Sequence, residues 1–136
     1  MAIRILLADD QKIVRDGLRS LLKKDFELEV VGEAHNGQVA VLLTHELMPD
    51  VVVMDIGMPV MNGIEATEQI IRNQPNAKVI GLSMHSDRRF VSNMLGAGAS
   101  GYLLKDCAFD ELVNAIRAVF SGQVYMGLGI AGGEIN

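Results

Sequence analysis

Apolar and polar positions switch between two periods along the chain. Residues 3–8 (IRILLA) form a short apolar run with β-branched members, and it stops at the adjacent carboxylates Asp9 and Asp10. Ile13, Val14, Leu18, Leu21 and Leu22 then fall on one face of a helix. Residues 28–34 (LEVVGEA) read as a second strand, and Val39, Leu43 and Leu47 mark a second helix that stops before Pro49. Residues 51–55 (VVVMD) are apolar up to a terminal aspartate, as expected of a strand covered on both faces. Asn62-Gly63 reads as a turn, followed by a helix face of Ile64, Thr67, Ile70 and Ile71. Residues 78–83 (KVIGLS) give a fourth strand, and Phe90, Val91, Met94 and Leu95 a short helix weakened by Gly96 and Gly98. Residues 101–105 (GYLLK) give a fifth strand. Phe109, Leu112, Val113, Ile116, Val119 and Phe120 predict a last helix, with Gly122 as its C-cap. The glycine-rich stretch 127–136 shows neither period. One domain is therefore expected over 1–122, with 123–136 as a linker or tail.

Regular alternation of strand and helix implies an α/β fold, a doubly wound parallel sheet with helices on both faces. In such sheets the site lies beyond the carboxyl ends of the strands. The chemically distinctive residues stand there. Asp9 and Asp10 follow the first strand, Asp55 ends the third, Ser83 the fourth and Lys105 the fifth. Adjacent carboxylates raise the cost of ionising each other. Three carboxylates converging on one sheet end call for a divalent cation, and Mg²⁺ suits oxygen ligands completed by water and phosphate. A carboxylate can also act as a nucleophile and form an aspartyl phosphate. Such transfer needs charge neutralisation more than acid or base chemistry, and Lys105 would share that task with the metal.

Composition narrows the partners. Twelve Lys and Arg against 17 Asp and Glu give a net charge of -5 with no basic run, which argues against DNA or acidic membranes as partners of this chain alone. No apolar run approaches a bilayer span, and MAIRILLADDQ lacks the features of a signal peptide, so a cytoplasmic location is expected. Cys107 is the single cysteine and reads as an incidental thiol. The eight methionines read mostly as core filler. His35 and His45 lack partners at metal-ligand spacing and read as surface residues.

The segments LLADDQ, VVVMDIGMPVMNG, VIGLSMHS and GYLLKD together resemble the receiver domain of two-component response regulators, over residues 3 to 121. MDIGMPVMNGIEA and GASGYLLKD are similar to the subfamily with a C-terminal LuxR-type helix-turn-helix, the NarL/FixJ group. The resemblance implies a flavodoxin-like (βα)5 sheet of strand order 2-1-3-4-5 and assigns roles. Asp55 would accept a phosphoryl group from a sensor histidine kinase. Asp10 would bind Mg²⁺ directly and Asp9 mostly through water, with the backbone carbonyl of Gly57 as a third ligand. Ser83 and Lys105 would hold phosphoryl oxygens. Tyr102 matches the aromatic switch position, whose ring turns inward on phosphorylation and alters the face of the fourth helix, fifth strand and fifth helix. His85 lies two residues past Ser83; it reads either as a modulator contacting the attacking water or as an exposed loop histidine. Met58 and Met61, flanking Pro59, read as loop packing or partly exposed kinase contacts. The resemblance further implies a homodimer on phosphorylation, and DNA contact only through a C-terminal domain not in this chain. The chain is expected to be a fragment of such a regulator rather than a stand-alone receiver.

Two positions depart from the family pattern. Lys105 is followed by Asp106, where many receivers have proline. Ala108 stands where a Ser or Thr often caps the last helix, a loss of about 1 kcal/mol that Asp110 offsets in part through the helix dipole. Two other functions fit less well. A phosphatase of the haloacid dehalogenase type needs a second aspartate two residues past its nucleophile, where this chain has Gly57. A flavin binder needs a phosphate loop after the first strand, where ADDQK would repel one. The chain is thus expected to transfer phosphoryl groups to and from itself without being a turnover enzyme.

Overall fold

A computed structural model of the chain describes residues 2–84, 88–127 and 129–130. Strands and helices alternate as β1 (Ile3–Ala8), α1 (Lys12–Lys23), β2 (Leu28–Ala34), α2 (Gly37–Leu47), β3 (Val51–Asp55), α3 (Gly63–Asn73), β4 (Lys78–Ser83), α4 (Arg88–Gly96), β5 (Gly101–Leu104), α5 (Ala108–Phe120) and β6 (Tyr125–Met126). All strand pairs are parallel, in the order β2-β1-β3-β4-β5-β6. The expected order 2-1-3-4-5 is present, and β6 is added beside β5. Two residues are too few to show a period, so the sheet runs past residue 122 without a sequence signal.

The parallel strands are apolar because both faces are covered. Ile5, Leu7, Val53, Leu82 and Leu103 pack with Leu18 and Leu22 of α1 and Leu112 and Ile116 of α5. Leu6, Ala8, Val52, Met54 and Tyr102 point the other way, into a core with Ala40 of α2, Ala66 and Ile70 of α3, and Val91 and Met94 of α4. Burying one such leucine fully stabilises the fold by about 1.5–3 kcal/mol. The registers follow from this alternation, since a one-residue slip would turn every side chain to the opposite face.

Helix ends show where local chemistry decides. Asn36 caps α2 by accepting from Val39 N–H at 2.8 Å, and Asn62 caps α3 by accepting from Glu65 N–H at 2.9 Å. Asn62-Gly63 is therefore a helix start rather than a free-standing turn. In α5 the N-cap position belongs to Cys107, with Ala108 as the first helical residue; Cys107 makes no side-chain capping bond, and a 3₁₀ turn over Lys105–Cys107 leads in. The helix ends in a Schellman turn. Gly122, at φ +93°, donates to Val119 O at 3.0 Å, and Gln123 N–H to Ala118 O at 2.9 Å. Ile13 departs from its expected place in the core and is 82% exposed. It lies to the side of the stripe formed by Val14, Leu18 and Leu22, which faces the sheet. Phe109 is likewise half exposed and lies over Gly17, where an added Cβ would stand 2.9 Å from its ring.

Candidate functional site

The registers bring the acidic residues together. Ala8 pairs with Met54, so Asp9 and Asp55 emerge side by side from the neighbouring strands β1 and β3. Both are buried, Asp9 at 1% and Asp55 at 4% exposure, while Asp10 is exposed at the rim. Carboxylate oxygens of Asp9, Asp10 and Asp55 lie within 4.8 Å of one another. Lys105 crosses from the start of the 3₁₀ turn. Its ammonium stands 3.0 Å from Asp9 Oδ2 and 3.2 Å from Asp55 Oδ2. The other oxygens accept main-chain bonds: Asp9 Oδ1 from Gln11 N–H at 2.9 Å, and Asp55 Oδ1 from Gly57 N–H at 3.2 Å.

One ammonium is insufficient for these carboxylates. Burial, and then the neighbouring charge of Asp9, push the Asp55 carboxyl up to about 6, although Lys105 and the Gly57 N–H pull the other way. Burial alone would lower the Lys105 ammonium, but its contacts with Asp9 and Asp55 outweigh this and raise it. Asp9 Oδ2 is buried, and the partner it has among the described residues is the Lys105 ammonium at 3.0 Å, which it shares with Asp55. Two buried carboxylates sharing one ammonium remain short of positive charge. A hard cation among Asp9, Asp10 and Asp55 would meet that need, so the donor set fits Mg²⁺. At Gly57 an added Cβ would stand 4.0 Å from Asp55 Oδ1, ordinary contact, so space does not require glycine there. That suits a residue offering only its main chain.

Ser83 is buried at the end of β4, in register with Leu104 just before Lys105. Tyr102 is fully buried, in the core that includes Val91 and Met94 of α4. His85 lies outside the described residues. Met58 is buried, so loop packing holds for it, and the exposed apolar residue of that loop is Val60. Val60 is at φ +68° and centres a γ-turn in which Met61 N–H donates to Pro59 O at 2.7 Å, a strained form for a β-branched residue. His35 and His45 are exposed.

Two contributors escaped the sequence reading. Gln11 Oε1 accepts from the Lys105 ammonium at 3.3 Å. Arg15 donates to the Asp9 backbone carbonyl at 2.7 Å and pairs with Glu33 at 3.0 Å, which fixes the turn that carries the aspartates. Arg15 stands one helical turn after Gln11, on the edge of α1 that flanks the apolar stripe.

A sequence model of the response regulator receiver domain matches residues 5–117. The chain belongs to that family. This receiver domain is 48% identical over 120 residues to the transcriptional regulatory protein LnrK of Bacillus subtilis (strain 168), covering 88% of the chain and 54% of LnrK. It thus spans about half the length of that relative. A two-component response regulator of the LuxR family from Aurantimonas sp. SI85-9A1 superposes with a TM-score of 0.92 at 39% identity, covering 97% of this chain and 94% of that one. The isolated receiver of RcsB from Salmonella enterica serovar Typhimurium, solved in the presence of the phosphomimetic BeF3-, superposes with a TM-score of 0.87 at 26% identity, covering 97% and 98%. Receiver domains generally bind Mg²⁺ and are regulators rather than turnover enzymes. Among the described residues no helix is long and apolar enough to cross a membrane.

Proposed function

We propose that Asp55 is the phosphoacceptor of this receiver and that a sensor histidine kinase is the donor. The observation that carries this reading is the clustering of Asp9, Asp10 and Asp55 at one sheet end, with the Lys105 ammonium 3.0 Å from Asp9 and 3.2 Å from Asp55. Asp9, Asp10, Asp55 and the Gly57 carbonyl would hold Mg²⁺, which when bound neutralises charge on the phosphoryl oxygens. An Asp55 carboxylate oxygen attacks phosphorus, the new O–P bond forms as the bond to the donor's imidazole nitrogen breaks, and the leaving imidazole keeps the electron pair. Lys105 holds one phosphoryl oxygen and Ser83 another. Tyr102 is the residue through which the change reaches the face of α4, β5 and α5. In the longer protein, phosphorylation would favour a homodimer and control a DNA-binding output domain, as the transcriptional role named for LnrK supports. The cell location consistent with this role is the cytoplasm.

The test is intact mass after incubation with acetyl phosphate, with and without Mg²⁺, on the wild type and Asp55→Asn. A Mg²⁺-dependent gain of one phosphoryl group, absent in the variant, is the expected result. An adduct on Asp55→Asn, or one indifferent to Mg²⁺, would sink the assignment. Beryllofluoride binding gives the same answer for a short-lived adduct, since it requires only the assembled site.

A further inference from the structure

The chain beyond α5 lies along the outer edge of β5. Tyr125 and Met126 pair with Gly101 and Tyr102. Tyr125 N–H donates to Ser100 O at 3.0 Å and Gly127 N–H to Tyr102 O at 2.9 Å. The close approach continues past the two paired residues. An added Cβ would stand 2.8 Å from Leu103 Cδ2 at Gly127, and 3.3 Å from Leu104 Cδ1 at Gly129, which adopts φ +79°. Only glycine allows the chain to be pressed so flat at the first position and to turn at the second.

The segment is anchored on both faces of the sheet. Tyr125 packs against the core beneath α5, and its hydroxyl donates to buried Glu111 Oε1 at 3.0 Å. Met126 packs against the opposite core, and Ile130, 1% exposed, is part of it together with Tyr102, Val91 and Met94. An uncovered β5 would present an unpaired strand edge. Here the chain's own segment fills that edge in the manner of an added β-strand.

We propose that the segment carrying Tyr125, Met126, Gly127, Gly129 and Ile130 is a strap whose docking on β5 is coupled through Tyr102 to phosphorylation at Asp55, so that each favours the other. The inference rests on the receiver chemistry proposed above. β5 is the physical link: it carries Tyr102 within the core the strap joins, and Lys105 follows it directly into the acidic site. With the strap docked, Tyr102 is fully buried. Docked strap and inward ring form one arrangement, and whatever stabilises that arrangement at one end stabilises it at the other. Chain following residue 130 would then receive the signal as a change in how firmly its root is held.

Hydrogen exchange and beryllofluoride titration on the full chain test this. With Mg²⁺ and beryllofluoride, the amides of Tyr125 and Gly127 should exchange about fivefold more slowly or better, the lower bound of ordinary allosteric coupling. Gly127→Val and Ile130→Asp should each weaken beryllofluoride binding by about fivefold or more, and the effect should vanish in a Tyr102→Ala background. Circular dichroism confirms folding, and Tyr125→Phe supplies a milder variant with an effect in the same direction. Slowed exchange over residues 55–63 with unchanged exchange at 125 and 127 and unchanged variant affinities would overturn the strap while leaving the receiver chemistry intact. No response at residues 55–63 would overturn both.

Discussion

Asp55→Asn should make the metal-free protein more stable at neutral pH while removing the proposed phosphoacceptor. In the fold the Asp55 carboxyl is pushed up to about 6 from an ordinary 3.8, by burial first and by Asp9 second. At about 1.36 kcal/mol per unit, ionising it in the folded chain costs about 3 kcal/mol. Between those two values the folded chain keeps a proton that the unfolded chain has released. Stability therefore falls as pH rises from about 4 to about 6, and the full cost stands above that window. Asparagine keeps the shape and removes the charge, but it also gives up the attraction of Lys105 at 3.2 Å. The net gain at pH 7.5 should be about 1–3 kcal/mol. Urea unfolding in EDTA at pH 4 and pH 7.5, wild type against variant, measures it. The variant's advantage should be small at pH 4 and clear at pH 7.5. Mg²⁺ should narrow it by stabilising the wild type more, in proportion to RT ln(1 + [Mg²⁺]/Kd). Parallel pH profiles in EDTA, with the variant no more stable than wild type at pH 7.5, would refute the claim that Asp55 is held under electrostatic strain.

Three further outcomes are expected. Lys105→Met leaves Asp9 and Asp55 buried without their cation; it should cost about 3–5 kcal/mol at pH 7.5 and much less at pH 4, where Asp55 holds a proton, as thermal melts at the two pH values would read. In Gly63→Ala the new Cβ would stand 2.3 Å from the Asp55 backbone carbonyl oxygen. That should cost about 1–3 kcal/mol by urea unfolding and shrink the stabilisation given by Mg²⁺. Val60→Gly relieves a β-branched residue at φ +68° that is 77% exposed and so loses little packing; a gain of up to about 1 kcal/mol in urea unfolding is expected, after the greater freedom of glycine in the unfolded chain is counted.

The fold was legible because each strand and helix kept its period over several residues, and the site because strand ends in a parallel sheet converge. Asp9, Asp55 and Lys105 could be placed together from order alone. What escaped depended on contacts made across the sequence. Gln11 and Arg15 gain their roles only when α1 packs beside β1 and β2, and nothing in an apolar stripe reports the polar edge next to it. Ile13 is apolar but lies off the stripe of Val14, Leu18 and Leu22 that meets the sheet, an angular offset that a list of apolar positions blurs. The fifth helix begins at Ala108 because a 3₁₀ turn absorbs Lys105–Cys107, a choice of backbone that residue type does not announce. β6 is two residues long, and its pairing is visible only against the edge it covers.

Fold and site are two results of one pattern. The register of β1 on β3 is set by burying Ile5 and Leu7 on one face and Leu6 and Ala8 on the other. The same register carries Asp9 to the side of Asp55. Moving either aspartate away would require a slip that turns a whole strand inside out, which costs far more than the repulsion between two carboxylates. The apolar core thus holds charges together that would separate if free. Lys105 compensates for part of this, its one ammonium shared between Asp9 and Asp55. Any cation that enters lowers the free energy of a chain already committed to that geometry, and a phosphoryl group on the proposed acceptor Asp55 would replace one carboxylate charge with a larger one and so deepen the need for that cation. A site built in this way should respond to small ligands with changes in the stability of the whole sheet, including the edge of β5 that Tyr125 and Met126 cover.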